Sequence, residues 1–182
     1  YALRRNIQPV TGITWTCGFC DGTTSNDKGW FNNEKGWKIR VCAGCEKPSL
    51  FDESDAAWPK PTPGRSVQHV PKDTNKLFEE ARLATQAGSY TAAVMACRKV
   101  LSHIAVEKGA KENQTFKAYI EYLADKGYVT PDGRAWVDYI KDRGNDANHE
   151  ILLMAEKDAK GVLHLTENLL RNVYELPMLV PT

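Results

Sequence analysis

Two C-x-x-C pairs constrain this chain more than any other feature of its sequence. Cys17 and Cys20 form the first pair, and Cys42 and Cys45 form the second. Cysteines at positions i and i+3 of a tight turn direct their sulfurs to one point, and two such turns complete a tetrahedral thiolate site for zinc. A redox-active dithiol pair and an iron centre are the alternatives. The spacing favours a zinc ribbon, which is a small β structure built around the metal.

All four predicted ligands are protein thiolates, so a bound Zn²⁺ would have no open position for water or substrate. We therefore expect the metal to be structural and to stabilise a segment that has few core residues. Gly18 and Gly44 lie inside the two turns and are expected to supply the backbone freedom that the turns need. The fifth cysteine, Cys97, lies on the apolar side of a predicted helix and is expected to be a small buried side chain.

The composition changes along the chain and predicts two domains. The N-terminal part is rich in Gly, Asn, Thr and Trp and has short alternating stretches, which are typical of strands. It is followed by Trp-Pro-Lys-Pro-Thr-Pro-Gly, which favours an extended spacer. Beyond that spacer the apolar residues recur at helical intervals. The predicted organisation is a zinc ribbon at 1–51, a proline-rich linker at 52–71 and a helical domain at 72–182.

Helical periodicity, helix caps and helix-stopping residues predict where the helices of the C-terminal domain lie. Ser89 and Thr130 are predicted N-caps, and Gly88 is predicted to end the first helix. The predicted segments are residues 75–87, 89–108, 116–126, 130–143 and 156–176. Four or five antiparallel helices with short connections are typical of an up-and-down bundle. The expected fold class is therefore mainly α, a helical bundle preceded by a small β zinc ribbon.

The overall charge limits the partners that the whole chain can attract. With 24 basic and 23 acidic residues, the formal net charge is +1, which gives no strong field toward nucleic acid or an anionic membrane. No apolar run approaches the ~20 residues that a membrane-spanning helix needs. The N-terminal residues also lack the apolar stretch of a secretion signal. We therefore expect a soluble, cytoplasmic protein without a membrane partner.

Aromatic and basic side chains alternate close to the cysteines. Residues 1–51 carry seven basic and four acidic side chains. Such a mixture is suited to stacking on unpaired bases and to following phosphates. The residues expected to contact nucleic acid are Trp30, Trp37, Lys35, Lys38 and Arg40. In the alternative interpretation the aromatic residues form the small core of the ribbon and the charged residues only keep it in solution.

The segment from Asp142 to His149 concentrates polar residues where a predicted helix ends. Gly144 and Asn145 suit the left-handed geometry of a helix C-cap, and His149 could bond the free backbone groups of the helix end. This structural interpretation requires no catalytic role.

Residues 75–177 resemble the HEPN superfamily, in particular its branch catalogued as domain of unknown function 4145. The resemblance rests on residues 89–94, 97–101, 123 and 126–129, and above all on Gly-Asn-Asp-Ala-Asn-His at 144–149. Active members of the superfamily are metal-independent ribonucleases, usually completed by a second subunit. Their site contains an Arg, four to six further residues and a His. Arg143, five residues and His149 satisfy that rule.

The resemblance implies a chemistry for this segment. His149 would act as general acid or base on the ribose hydroxyl and the leaving oxygen, and Arg143 would stabilise the charge that builds on the phosphate. Asn145 is the polar residue that accompanies them, and cyclic-phosphate ends would result. Arg98 and His103 have the same spacing but lie within a predicted helix, so we prefer the pair at Arg143 and His149.

These observations lead to a functional hypothesis with two rivals. The leading hypothesis is a homodimeric, HEPN-like endoribonuclease with a zinc ribbon that targets it to RNA, as in bacterial or phage defence. The first rival is a non-catalytic module that dimerises through the helical domain and binds a nucleotide or a protein partner. The second is a transcription-associated ribbon that binds duplex DNA, and the near-neutral charge argues against it.

Overall fold

The computed structural model describes residues 7–8, 10–27, 29–129 and 153–179. The chain divides into two compact units, Tyr1–Thr62 and Pro63–Thr182. Within the described residues, every strand belongs to the first unit and every α-helix to the second. The range 52–71, predicted to be a linker, is therefore shared between the two units.

The N-terminal unit consists of short antiparallel strands. Their bounds are β1 Ile7–Gln8, β2 Ile13–Thr16, β3 Thr23–Asn26, β4 Gly29–Asn32, β5 Lys38–Val41, β6 Pro48–Phe51 and β7 Ala57–Trp58. β2 and β3 form a two-stranded sheet, and the others form a five-stranded sheet in the order β1-β4-β5-β6-β7. Every strand pair among the described residues is antiparallel. Most pairs join consecutive strands through short turns, whereas β1 pairs with β4 and the β2–β3 hairpin lies between them in the sequence.

The interior of this unit is small and partly polar. The rings of Trp15 and Phe51 meet edge to face, with centroids 5.5 Å apart. The guanidinium of Arg40 lies over the Phe51 ring and donates a hydrogen bond of 2.6 Å to the carbonyl oxygen of Thr11. Among the described residues, Trp15 and Phe51 are the large apolar side chains that are buried in this unit, which is little core for an independent domain.

The C-terminal unit contains α1 Lys72–Gln86, α2 Tyr90–Glu107, α3 Phe116–Asp125 and α4 Glu156–Leu170, all among the described residues. The chain continues from α4 through a π-helical turn, Arg171–Glu175, and a 3-10 turn, Leu176–Leu179. Gly88 adopts a left-handed conformation with φ +79° between α1 and α2, as its predicted role requires. Ser89 occupies the N-cap of α2, although its side chain makes no capping hydrogen bond.

The helical core is centred on α2, which packs against α1, α3 and α4. Phe78, Leu101, Ile120 and Leu163 are among the fully buried side chains, and they come from all four helices. Cys97 is buried in this core, as expected. None of the helices that the structure describes is both long enough and apolar enough to cross a membrane.

The segment before α1 is held against the helices by hydrogen bonds. Arg82 of α1 is almost completely buried and donates to the carbonyl oxygens of Pro63 and Gly64 and to the hydroxyl of Ser66. The carboxylate of Glu167 accepts a hydrogen bond from the backbone N–H of Arg65. Residues 63–70 are therefore fixed to the helical unit.

The predicted fold class, a mainly α chain built on an up-and-down bundle, is wrong. The structure instead combines an N-terminal β region of two sheets with four described α-helices, and these helices do not form an evident bundle. Helical periodicity identifies which side of each helix is apolar, but it does not determine which helices meet. The helix predicted at residues 130–143 lies outside the described residues.

Candidate metal centre

Each C-x-x-C pair lies in the turn of a β-hairpin. The first turn follows β2 and leads into β3, and the second follows β5 and leads into β6. In both, the first cysteine donates its N–H to the residue five positions later, at 3.0 Å, and its carbonyl accepts from the residue four positions later. The two turns thus repeat one hydrogen-bonding pattern. In each hairpin the two cysteines therefore lie in a turn whose backbone is held in place by the paired strands on either side.

The four thiols form one cluster. All four Sγ atoms lie within 4.8 Å of one another. The Sγ atoms of Cys17 and Cys45 are 3.7 Å apart, and those of Cys20 and Cys42 are 3.9 Å apart. A tetrahedral Zn²⁺ with Zn–S bonds of about 2.3 Å separates its sulfurs by about 3.8 Å. The distances therefore fit one Zn²⁺ held by all four cysteines, as the spacing predicted.

The surroundings of the thiols differ. Backbone N–H groups, first that of Cys45 and then that of Gly44, lower the pKa of the Cys42 thiol to about 6 against the opposing effect of desolvation. Two opposing effects act on the pKa of Cys20. The N–H of Gly22 lowers this pKa, whereas the neighbouring thiols, led by Cys45, and desolvation raise it by more, so that the net pKa is about 12. Burial raises the pKa of Cys17. Without a cation, deprotonating several of these neighbouring thiols at once is therefore unfavourable. A bound dication would remove this cost, because it stabilises the thiolate form of each ligand.

The closed ligand set determines what such a metal could do. Cys17 and Cys42 are buried, Cys45 is half-buried and Cys20 is exposed. Four protein ligands leave no coordination position for a substrate, so the metal would tie the two hairpins together and take no part in a reaction. Such a link would compensate for the small core of the N-terminal unit.

Sequence reasoning missed the residues that shape the two turns. Asp21 and Glu46, each next to the second cysteine of a pair, have positive φ angles of 54° and 60°. Asp21 and Glu46 therefore adopt the left-handed backbone conformation of the two turns. Gly18 is needed for a different reason, which is the space around its Cα. A Cβ at Gly18 would collide with the carbonyl oxygen of Pro59, so glycine permits the chain after β7 to lie against the first turn. The Asp-Gly pair at 21–22 was a turn signal that could have identified one position.

The residues predicted to contact nucleic acid lie in different surroundings. Trp30 is 49% exposed, Lys35 is exposed and Trp37 is half-buried. Lys38 forms an ion pair of 2.6 Å with Asp55. Arg40 is only 3% exposed and belongs to the interior, so the structure does not bring it to the same surface as the others.

The residues predicted to be catalytic, Arg143, Asn145 and His149, lie outside the described residues and stay predictions. The other Arg and His pair with the same spacing, Arg98 and His103, does lie among the described residues. The guanidinium of Arg98 lies 4.4 Å from the centre of the Phe116 ring, and His103 is exposed beside Glu107. Positions five residues apart on a helix are separated by about 140° around its axis, so these two side chains leave α2 in different directions.

The fold and the cysteine cluster define a two-domain protein in which a β domain with a four-cysteine cluster, fitted to hold a metal ion, is followed by a helical domain. Residues 79–180 match the family model described as "Domain of unknown function (DUF4145)". The chain therefore belongs to that family, and this part of the resemblance is confirmed. No match was found among curated proteins or among solved structures.

Proposed function

We propose that this protein acts on RNA, with a zinc-stabilised N-terminal domain that targets it and a C-terminal domain that cleaves. The closed thiolate cluster is the observation that carries the targeting part. A metal with four protein ligands is not a catalyst. The N-terminal domain therefore contributes to RNA targeting through its surface, which the metal stabilises. That surface exposes Trp30 and Lys35, two of the residue types that bind unpaired nucleotides.

The proposal for cleavage rests on the sequence of the family domain. Arg143, Asn145 and His149 fall within the matched residues 79–180. As in an HEPN-type site, His149 accepts the proton of the ribose 2′-hydroxyl, whose oxygen then attacks the adjacent phosphorus. The bond to the 5′ oxygen breaks and that oxygen takes up a proton, while Arg143 stabilises the charged phosphorane. The products are a 2′,3′-cyclic phosphate and a free 5′-hydroxyl, and a second subunit completes the site.

Cleavage of a mixed RNA substrate without added divalent metal tests this proposal. General acid–base catalysis contributes about 100-fold or more, so His149→Ala should lower the cleavage rate by at least that factor. His103→Ala is the matched control, since it removes an exposed histidine of α2. Equal rates for the parent and His149→Ala would contradict the catalytic assignment.

An interaction module without catalysis is the second candidate. It is favoured by the apolar side chains that the N-terminal domain exposes, because contiguous exposed apolar surface is typical of binding sites. In that case the protein would dimerise or bind a protein partner through its domains. Absence of cleavage by the parent protein, together with a stable complex in solution, would support this candidate.

A further inference from the structure

One face of the five-stranded sheet carries a continuous row of large apolar side chains. Trp30 of β4 pairs with Ile39 of β5, Ile39 pairs with Leu50 of β6, and Leu50 pairs with Trp58 of β7. Residues directly opposite each other on antiparallel strands point to the same face. The row therefore crosses four strands in register, over three strand spacings or about 14 Å.

This row lies on the solvent side of the sheet. Trp30 is 49% exposed, Leu50 is 45% exposed and Trp58 is 66% exposed. The residues that alternate with them, Ser49 and Phe51, are each 1% exposed. An antiparallel sheet with one solvated face normally carries polar residues on that face. Apolar residues on the solvated face therefore indicate a surface that is kept apolar for binding.

A third tryptophan joins the row. Trp37 lies two residues before Ile39 and lines the same groove as Leu50 and Trp58, with a volume of about 470 Å³. Three of the five tryptophans of the chain thus lie on one face of a domain of 62 residues. A groove of this size, lined by flat aromatic rings, is large enough for a planar ligand group.

Among the described residues, the charges around the row are few and balanced, and Glu53 accompanies Lys35 in the recess beside the groove. Lys60 and Asp52 both line the groove, and Lys35 lies beside Trp37 in the adjoining recess. The carboxylate of Asp52 accepts three hydrogen bonds from Ser54 and Ala56. This surface lacks the dense positive charge that a duplex requires, but its rings can stack on bases that are already unpaired.

We propose that this face, formed by Trp30, Trp37, Ile39, Leu50 and Trp58, binds single-stranded nucleic acid by stacking unpaired bases on its tryptophans. The inference rests on the proposed function in that it takes nucleic acid as the ligand, but it does not depend on cleavage. Lys35 and Lys60 lie where they can contact the phosphates of the bound strand. Because every base has a stacking face, binding depends little on base sequence. Since only Lys35 and Lys60 of the described residues are in reach of phosphates, its salt dependence is weaker than is usual for single-strand binders.

The test is an anisotropy titration of the full zinc-loaded chain with a labelled oligouridine of about 12 nucleotides. Trp58→Ala and Trp30→Ala should each weaken binding by about 5- to 150-fold, and Trp58→Phe should retain most of the affinity. Leu83→Ala, which removes an exposed apolar side chain of α1, is the matched control and should bind like the parent. Zinc content and circular dichroism establish that each variant is folded. Affinity should fall less than about tenfold between ~50 and ~200 mM salt.

The outcomes separate this inference from the proposed function. Unchanged affinity in both tryptophan variants, with binding by the parent, would overturn the stacking face but leave an RNA-directed protein. Equal affinity for duplex and single strand would likewise overturn it. If the parent binds no oligonucleotide, the stacking face is overturned and is left to a protein partner, while the cleavage assay decides the proposed function separately.

Discussion

At the scale of single residues, the four clustered cysteines differ in how far they are exposed to solvent. Cys17 and Cys42 are buried, with 0% and 1% exposure, whereas Cys20 is exposed at the rim of the cluster. An exposed ligand can be replaced without creating a cavity, so its loss reports on metal binding alone. Cys20 is therefore the most informative ligand to change.

Cys20→Ser should lower zinc affinity by at least about 100-fold, because a neutral hydroxyl cannot replace a thiolate in the ligand set. Competition against a chromophoric chelator measures this change. Cys97→Ala is the control, since Cys97 belongs to the core of the helical unit and is not one of the four clustered cysteines. A full zinc content in Cys20→Ser, or a reduced one in Cys97→Ala, would show that the ligand assignment is wrong.

At the scale of elements, the C-terminal domain begins before its first helix. The guanidinium of Arg82 is held by acceptors in residues 63–66 and by the carboxylate of Glu79, at 2.7 Å. Val67 of the same segment is buried in the helical core. The family match, however, begins at residue 79. A folded C-terminal domain therefore requires sequence that lies ahead of the family match.

Arg82→Met should lower the free energy of unfolding of the C-terminal domain by about 2–4 kcal/mol. The change leaves the partly buried carbonyl oxygens of Pro63 and Gly64 and the carboxylate of Glu79 without their donor, and groups that lose a partner where water has little access are costly. Urea denaturation followed by circular dichroism measures the effect. Lys76→Met, at an exposed position of the same helix, should change stability by no more than about 0.5 kcal/mol. Similar stabilities for the two variants would contradict the role given to Arg82.

At the scale of the whole molecule, the two domains depend on different sources of stability. The helical domain has a large continuous apolar core, whereas the N-terminal domain has a small, partly polar interior and the thiolate cluster. A ligand that binds only the folded state at a thousand times its Kd stabilises that state by about 4 kcal/mol. That amount is comparable with the total stability of a small domain.

Zinc removal should therefore unfold the N-terminal domain and leave the helical domain folded. Tryptophan fluorescence follows the first event, because four of the five tryptophans lie in residues 1–62. Circular dichroism at the helical wavelength follows the second, and it should change little when a strong chelator is added. Added zinc should restore the fluorescence. Loss of both signals in one transition would show that the helical domain also depends on the metal.

The local pattern of the sequence was enough to identify the metal ligands and most helices. A C-x-x-C turn is formed by neighbouring residues, so its spacing predicts that its own two thiols point to one place. The contacts of Cys17 with Cys45 and of Cys20 with Cys42, by contrast, join different hairpins. α3, for example, was expected at 116–126 and is found at Phe116–Asp125, where Thr115 caps it by accepting a hydrogen bond from the N–H of Ala118. Local sequence determines such features because the interacting groups are only a few residues apart.

Only the tertiary structure decided which side chains are interior and which are exposed. Trp15 and Trp30 look alike in the sequence, yet Trp15 packs on Phe51 in the core and Trp30 is half exposed. Arg40 was expected at the surface and is buried. Burial depends on the register of strands and the packing of helices that are distant along the chain. The same long-range contacts extended the β region to two sheets and arranged the four described helices in a way that is not an evident bundle.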